Sequence, residues 1–353
     1  MTPAKCGSVI YKSTMDSLYS ITPWYWRSCV WSPMCDRVDA TRLQLFRQYY
    51  RPLAAEPRRP DSTITSMIVV TGALMDAKSN MTQIRLNRVS PAYWRVTFDN
   101  PPLNLMGPEF VLEMREIMTN LETDEQVKVV IFDSAVDGYF LNHSDFRVKL
   151  QELTDIPQGP TGLEAWPDIL VRLTRAPVVS IALIRGRATG NGSEIALACD
   201  MSFASREKAI LSQWEVGVGL VAGGGPMARL PRLMGRGRAL EILLSSDDIR
   251  GDLAEAYGYV NRSIADAELN RFVDALAIRI ASFDKWAISN TKRLVNAAGL
   301  PPDVEIAAGW EACMASILRP AAQERIKALF EQGFHKPGDA ETHLGAYVGR
   351  LGR

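Results

Sequence analysis

The stretch PVVSIALIRGRATGNGSEIALACD, residues 177 to 200, restricts the architecture of this chain more than any other. Its apolar, β-branched opening has the length and composition of a buried strand. A run of glycines and small residues follows, and then an apolar segment from Ile195 to Cys199 that reads as the first turns of a buried helix. Glycines let the backbone turn tightly and approach another group closely. A strand delivered into a helix by so short a join belongs to a layered α/β architecture. The start of such a helix points free N–H groups outward with a partial positive charge, so the join suits an oxyanion and suits an ordinary cap equally well.

The flanking sequence repeats this alternation. TQIRLNRV and AYWRVTFD alternate like paired strands, broken at Ser90-Pro91. In GPEFVLEMREIMTNLE the apolar residues Phe110, Val111, Met114, Ile117, Met118 and Leu121 fall at helical spacing, with Pro108 near the start. VKVVIFDS is a short buried strand, DMSFAS is another, and helices follow the glycine-rich GVGLVAGGG. Residues 1–80 differ: tryptophan, cysteine, proline and arginine crowd together without a sustained period, as in TPWYWRSCVWSPMC. They read as an atypical extension, either disordered or upstream of a true start at Met67, Met75 or Met81, and as neither a signal peptide nor a transit helix. The last residues, 336–353, read as a flexible tail.

Composition removes several classes of function. Forty basic and forty acidic side chains leave no net charge, and so no footprint for nucleic acid or an anionic membrane surface. Apolar runs such as MIVV and VVSIALI fall far short of the ~20 residues of a membrane helix. The five cysteines have no zinc-like spacing, and the three histidines, His143, His335 and His343, are too scattered for a metal cluster. A soluble protein in a reducing compartment is expected, cytoplasmic with mitochondrial as the alternative.

Three segments carry candidate chemistry. Asn191 and Glu194 form an N-x-x-E pattern that resembles a capping box, and a carboxylate in a first helical turn also complements the dipole. Glu215, in LSQWEVGVG, follows an apolar strand and precedes a glycine-rich turn. Two carboxylates brought together can split their pKa values and share acid and base work; the plainer reading is a salt bridge from Glu215 to Arg206 or Arg229. YFLNHSDF, residues 139–146, is either a polar loop after a strand or a third part of a site.

Taken together, these segments resemble the enoyl-CoA hydratase/isomerase (crotonase) superfamily. FLNHSDF is similar to its first motif, roughly F-x-A-G-x-D-L, aligning Phe140 and Asp145. GRATGNGSEIALACD follows the second motif almost residue for residue, and LSQWEVGVG the third, continuing into LVAGGGPMARLPRLMGRGRALEILL and AEAYGYVNRSI. The resemblance spans about residues 84–335. It implies an α/β fold of the crotonase type: a spiral of ββα units over residues 81–263, then a C-terminal helical oligomerisation segment over 264–335 that builds homotrimers or homohexamers.

It also implies an acyl-CoA substrate whose thioester oxygen sits between two backbone N–H groups, those of Asn142 and Asn191, with Asn142, His143, Ser144, Asp145 and Asn191 around it. Glu194 and Glu215 align with the two glutamates of the hydratases, so hydration of a 2-enoyl-CoA is the implied reaction. No metal and no cofactor beyond the substrate's coenzyme A is implied. Isomerisation, thioester hydrolysis, carbon–carbon cleavage and a non-catalytic scaffold are the alternatives. Several residues depart from the family pattern. Asn142 replaces the usual alanine, Asn191 and His143 replace glycines, Trp214 stands for proline and Pro226 for glycine, with one extra residue between Asp200 and Glu215. A backbone N–H survives any such change except to proline. For His143 the readings are a solvent-facing loop residue and an extra acid/base.

Overall fold

The computed structural model describes residues 81–352. The atypical extension read at residues 1–80 lies outside the described residues. Ten strands are formed: β1 (Ile84–Ser90), β2 (Tyr93–Phe98), β3 (Val129–Ser134), β4 (Tyr139–Leu141), β5 (Val179–Ile184), β6 (Arg187–Thr189), β7 (Met201–Ser205), β8 (Ile210–Ser212), β9 (Ile249–Arg250) and β10 (Arg262–Ile264). They make a six-stranded sheet, β1-β2-β3-β5-β7-β10, and a four-stranded sheet, β4-β6-β8-β9. From β3 to β8 the chain places successive strands in alternate sheets, which is the spiral implied by the resemblance. All pairings inside it are parallel; only β1–β2 and β8–β9 are antiparallel.

Two helices show why the sequence adopts this form. α1 (Pro108–Thr123) starts with proline at its first turn, where the missing N–H costs nothing, and buries the six residues picked out by periodicity. Phe110 meets Phe98 at 5.3 Å between ring centroids, and Phe98 in turn meets Phe140 at 5.4 Å. Each such fully buried side chain contributes roughly 1.5–3 kcal/mol. The element that the glycine-rich join opens into is α2 (Asn191–Ala198), and every residue from Gly192 to Ala198 is buried.

The C-terminal helices pack on the body of the same chain. α3 (Asp266–Ala281) turns its apolar stripe, Leu269, Val273 and Ala277, onto the large sheet of its own chain, against Ile131, Ile181 and Leu183. α4 (Asp303–Ile317) and α5 (Pro320–Glu331) cover the mouth of the spiral. Exposed apolar side chains remain at Ile278 on α3, at Val304 on α4 with Leu318 at its end, and at Trp286, Leu294 and Val295 on the helix Lys285–Gly299.

The flexible tail is also corrected. Residues Asp339–Thr342 and Leu344–Val348 are short helices, and Ala340, Glu341, Leu344 and Val348 are buried. Leu344 and Val348, one helical turn apart, pack with Trp214, Val218, Leu329 and Phe334. An apolar pair hidden among glycines and charged residues is too short a signal for periodicity to register.

Candidate active site

Gly190 opens α2 at a φ of 52°, and a Cβ there would sit 2.8 Å from Glu215 Oε1 and 3.0 Å from Trp214 Nε1. Only glycine combines that conformation with so close an approach. Asn191 is therefore the first helical residue rather than the cap, and no capping box forms. Its side-chain amide instead donates to Glu194 Oε2 at 3.1 Å. Trp166 Nε1 donates to the same oxygen at 2.7 Å, and the Gly224 N–H donates to Glu194 Oε1 at 2.5 Å. Glu194 is 2% exposed, so these three donors take the place of water.

Glu215 arrives from the other side, at the head of a 3₁₀ turn, Glu215–Val218, that follows β8. The extra residue before it is absorbed without displacing it, because Glu194 and Glu215 line one cavity. Neither basic partner of the plainer reading reaches it: Arg206 donates to the Ser263 carbonyl and Arg229 to that of Leu170. The Glu215 Oε2 atom is shielded from solvent and has no hydrogen-bond partner. Burial, and then the neighbouring Glu194 charge, push the Glu215 carboxyl up to about 8. Burial also raises Glu194, but its three donors favour the ionised form. The pair thus differs in its surroundings: Glu194 accepts three hydrogen bonds, whereas Glu215 Oε2 accepts none.

This difference carries a stability consequence. Folded Glu215 keeps its proton up to about pH 8, whereas an ordinary glutamate releases it near 4.5. Between those values the folded state binds more protons than the unfolded state, so stability falls as pH rises. Glu215→Gln cannot ionise. Its thermal midpoint should exceed that of the parent protein by at least about 3 °C at pH 8 and by less at pH 5. An equal difference at both pH values in thermal melts contradicts this assignment.

The loop after β4 runs beside residues 104–106. Asn142 N–H donates to the Asn104 carbonyl at 2.9 Å, Met106 N–H to that of His143 at 3.0 Å, and Asp145 N–H to that of Met106 at 2.8 Å. The Asn142 N–H, expected as the first oxyanion donor, is therefore already bonded, and Asn142 is absent from the cavity lining. Ser144 lies between the bonded positions, has no backbone N–H partner among the described residues, and lines the cavity. Its Oγ donates to Asn191 Oδ1 at 2.8 Å. Asn191 also lines the cavity, and its own N–H, at the first helical position, has no carbonyl to meet within the helix. Ser144 and Asn191 thus line the cavity side by side, joined through their side chains.

The other loop residues are fixed by side-chain partners. Asp145 is held by Arg147 at 2.8 Å and lies 3.2 Å from His335. Burial works to raise the Asp145 carboxyl, and the Arg147 hydrogen bonds outweigh it and bring it below its ordinary value. His143 is 1% exposed and stacked on Phe334 at 4.5 Å. It is therefore not a solvent-facing loop residue: it lines the cavity, with Nε2 3.2 Å from Glu341 Oε2. Pro226 removes no needed donor: it opens a helix, Pro226–Met234, and the bond to Glu194 comes from Gly224.

The enclosed cavity has a volume of about 270 Å³. Glu194, Glu215, Ser144 and Asn191 line it together with Trp310, Cys313, Met314 and Ile317 of the C-terminal segment. Sequence reasoning missed Trp166 and the α4 residues, which lie outside the motifs, and missed Gly224 as a donor to Glu194 although it sits in the glycine run that continues the third motif. The arrangement can hold an oxyanion at paired N–H groups beside an acid–base pair. Among the described residues, no group of His, Cys, Asp or Glu could hold a metal ion, and no helix is long and apolar enough to cross a membrane.

Comparison with known proteins agrees with this geometry. The profile of the enoyl-CoA hydratase/isomerase family matches residues 90–312. Crotonyl-CoA hydratase of Syntrophomonas wolfei is 32% identical over 221 residues, covering 62% of this chain and 83% of that protein. The mouse enoyl-CoA hydratase domain-containing protein 2, mitochondrial, is 32% identical over 196 residues, and the match spans 62% of its length and 56% of this chain. A solved structure from Streptomyces avermitilis superposes with a TM-score of 0.74 at 40% identity, covering 77% of this chain and 98% of that one. With strands wound between two sheets, helices closing the mouth and both glutamates in one cavity, the chain belongs to the enoyl-CoA hydratase/isomerase family, the crotonase superfamily.

Proposed function

We propose that this protein adds water across the 2,3 double bond of a 2-enoyl-CoA thioester. The observation that carries the reading is that two buried carboxyls line one cavity in unlike surroundings, Glu194 accepting three hydrogen bonds and Glu215 Oε2 none. The thioester oxygen accepts hydrogen bonds from the N–H groups of Ser144 and Asn191, so charge that develops on it meets fixed donors, each worth roughly 3 kcal/mol of barrier when removed. Ser144 takes the place given to Asn142 by motif alignment. Asn142 supports that loop through Glu341, His143 lines the cavity while held by the same carboxylate, and Asp145 anchors the loop through Arg147.

Glu194 accepts a proton from a water whose oxygen attacks C3, and the C2–C3 π electrons move onto the thioester oxygen as an enolate. Glu215 delivers its proton to C2, which restores the carbonyl. The proton gained by Glu194 then returns to Glu215 through solvent. Atoms balance as one water added, and coenzyme A serves only as part of the substrate. The exposed apolar face around Trp286, Leu294 and Val295 supports a homotrimer or homohexamer. A cytoplasmic location is retained, with a mitochondrial one, the location in the name of the mouse relative, as the alternative.

The test is spectrophotometric. Crotonyl-CoA and longer 2-enoyl-CoAs, incubated with the protein, should lose the absorbance of the conjugated thioester. Absorbance that persists across all chain lengths in a folded preparation sinks the hydratase reading.

A further inference from the structure

Glu341, from the C-terminal segment, is fully buried 198 residues away in sequence from the loop it contacts. Its Oε2 accepts from the Asn142 side-chain amide at 2.9 Å and faces His143 Nε2 at 3.2 Å. Its Oε1 accepts from the His335 N–H at 2.7 Å, which closes the turn that brings the segment back. The other His143 nitrogen, Nδ1, lies 2.9 Å from the Ser144 carbonyl, so both ring nitrogens are aimed at acceptors. One carboxylate thus grips two consecutive residues of the loop whose next residue is Ser144.

The geometry points to Glu341 as a positioning residue: it latches the C-terminal segment to the 142–144 loop and so holds the Ser144 N–H at the angle that an oxyanion requires. This role rests on the hydratase reading above. On the same side Asp145 lies 3.2 Å from His335, and Phe146 packs against Phe334 and Trp214, so the Glu341 carboxylate is the point where that segment grips the residues directly before Ser144. The loop's backbone bonds run to residues 104–106, and the Ser144 Oγ contact to Asn191 joins it to the helix that carries Glu194. Burial acts to raise the Glu341 carboxyl, but the His143 charge, its hydrogen bond and the other donors bring it down to about 2. Phe334, stacked on His143, comes from the same segment and supports the contact with apolar surface.

A donor held for a developing oxyanion acts on the transition state more than on bound substrate, so its displacement lowers kcat more than it raises KM. Glu341→Gln keeps the shape and removes the charge. With crotonyl-CoA it should lower kcat at least ~10-fold while KM changes less than about 3-fold. His143→Gln should do the same, and the double variant should be no worse than the more impaired single variant, since both act through one contact. Hydrogen exchange read by mass spectrometry should speed up in peptides covering 140–146 and stay unchanged in 129–134.

A Glu341→Gln protein with parental kcat and parental exchange at 140–146 overturns the latch, as does a kcat loss that is fully additive with that of His143→Gln. Should Glu341→Gln fail to fold, His143→Gln alone decides by the same kcat-against-KM comparison. Should the parent protein turn over no enoyl-CoA, the hydratase reading falls, and the exchange comparison alone decides the latch.

Discussion

Glu215→Gln should leave a folded protein whose kcat for crotonyl-CoA is lower by about 10³-fold, the scale of a positioned acid or base. Glutamine fills the same volume but has no proton to deliver to C2. Glu194→Gln should lose activity on the same scale for a different reason. Both Glu194 oxygens accept hydrogen bonds, Oε2 from Trp166 and Asn191, and Oε1 from Gly224. Either orientation of a glutamine amide sets an NH₂ group against at least one of these donors, leaving buried groups unsatisfied at about 1–3 kcal/mol. The two variants should therefore match in lost activity and differ in stability. Glu215→Gln should melt higher than the parent at pH 8, and Glu194→Gln should melt lower. Kinetics and melts on both variants check this, and a Glu215→Gln protein that keeps a tenth of parental kcat removes the acid from the mechanism.

Gly192→Ala should destabilise the protein by about 3 kcal/mol or prevent its folding, the upper range for forcing extra atoms into a packed core. A Cβ on Gly192 would lie 1.7 Å from the Leu141 carbonyl oxygen and 2.6 Å from its carbon. Both obstacles are backbone, so no side-chain rotation relieves the clash. Leu141 ends β4 and leads directly into the 142–145 loop, while Gly192 is the second residue of the helix that carries Glu194. This glycine is what lets the two oxyanion-facing segments touch. Chemical denaturation of the variant measures the loss, and a midpoint unchanged from the parent contradicts the contact.

Parts of this account were legible in the sequence because local patterns carried them. The stripe from Phe110 to Leu121 maps one to one onto the buried face of α1, because a single helix face against a sheet imposes its period directly. The glycine run before Glu194 was legible because the approach of Trp214 and Glu215 excludes a side chain at Gly190. The identity of the first oxyanion donor was not. Which of Asn142 and Ser144 is free depends on how the loop lies against Asn104 and Met106, a register set by residues nearly forty positions away. The C-terminal latch was hidden for a related reason. Glu341 reads as one charge in a polar tail, and only its distant partners, Asn142 and His143, turn it into a buried anchor. The same contact explains why His143, in a loop motif that reads as solvent-exposed, is instead enclosed.

The most direct test of the two-carboxylate hydration mechanism is the product formed from crotonyl-CoA in ¹⁸O-labelled water, read by mass spectrometry. The account predicts one solvent oxygen on C3 of a product that retains coenzyme A. A shifted double bond without label identifies an isomerase, and labelled free acid with released coenzyme A identifies a thioester hydrolase; either result contradicts the assignment of Glu194 to water and Glu215 to C2.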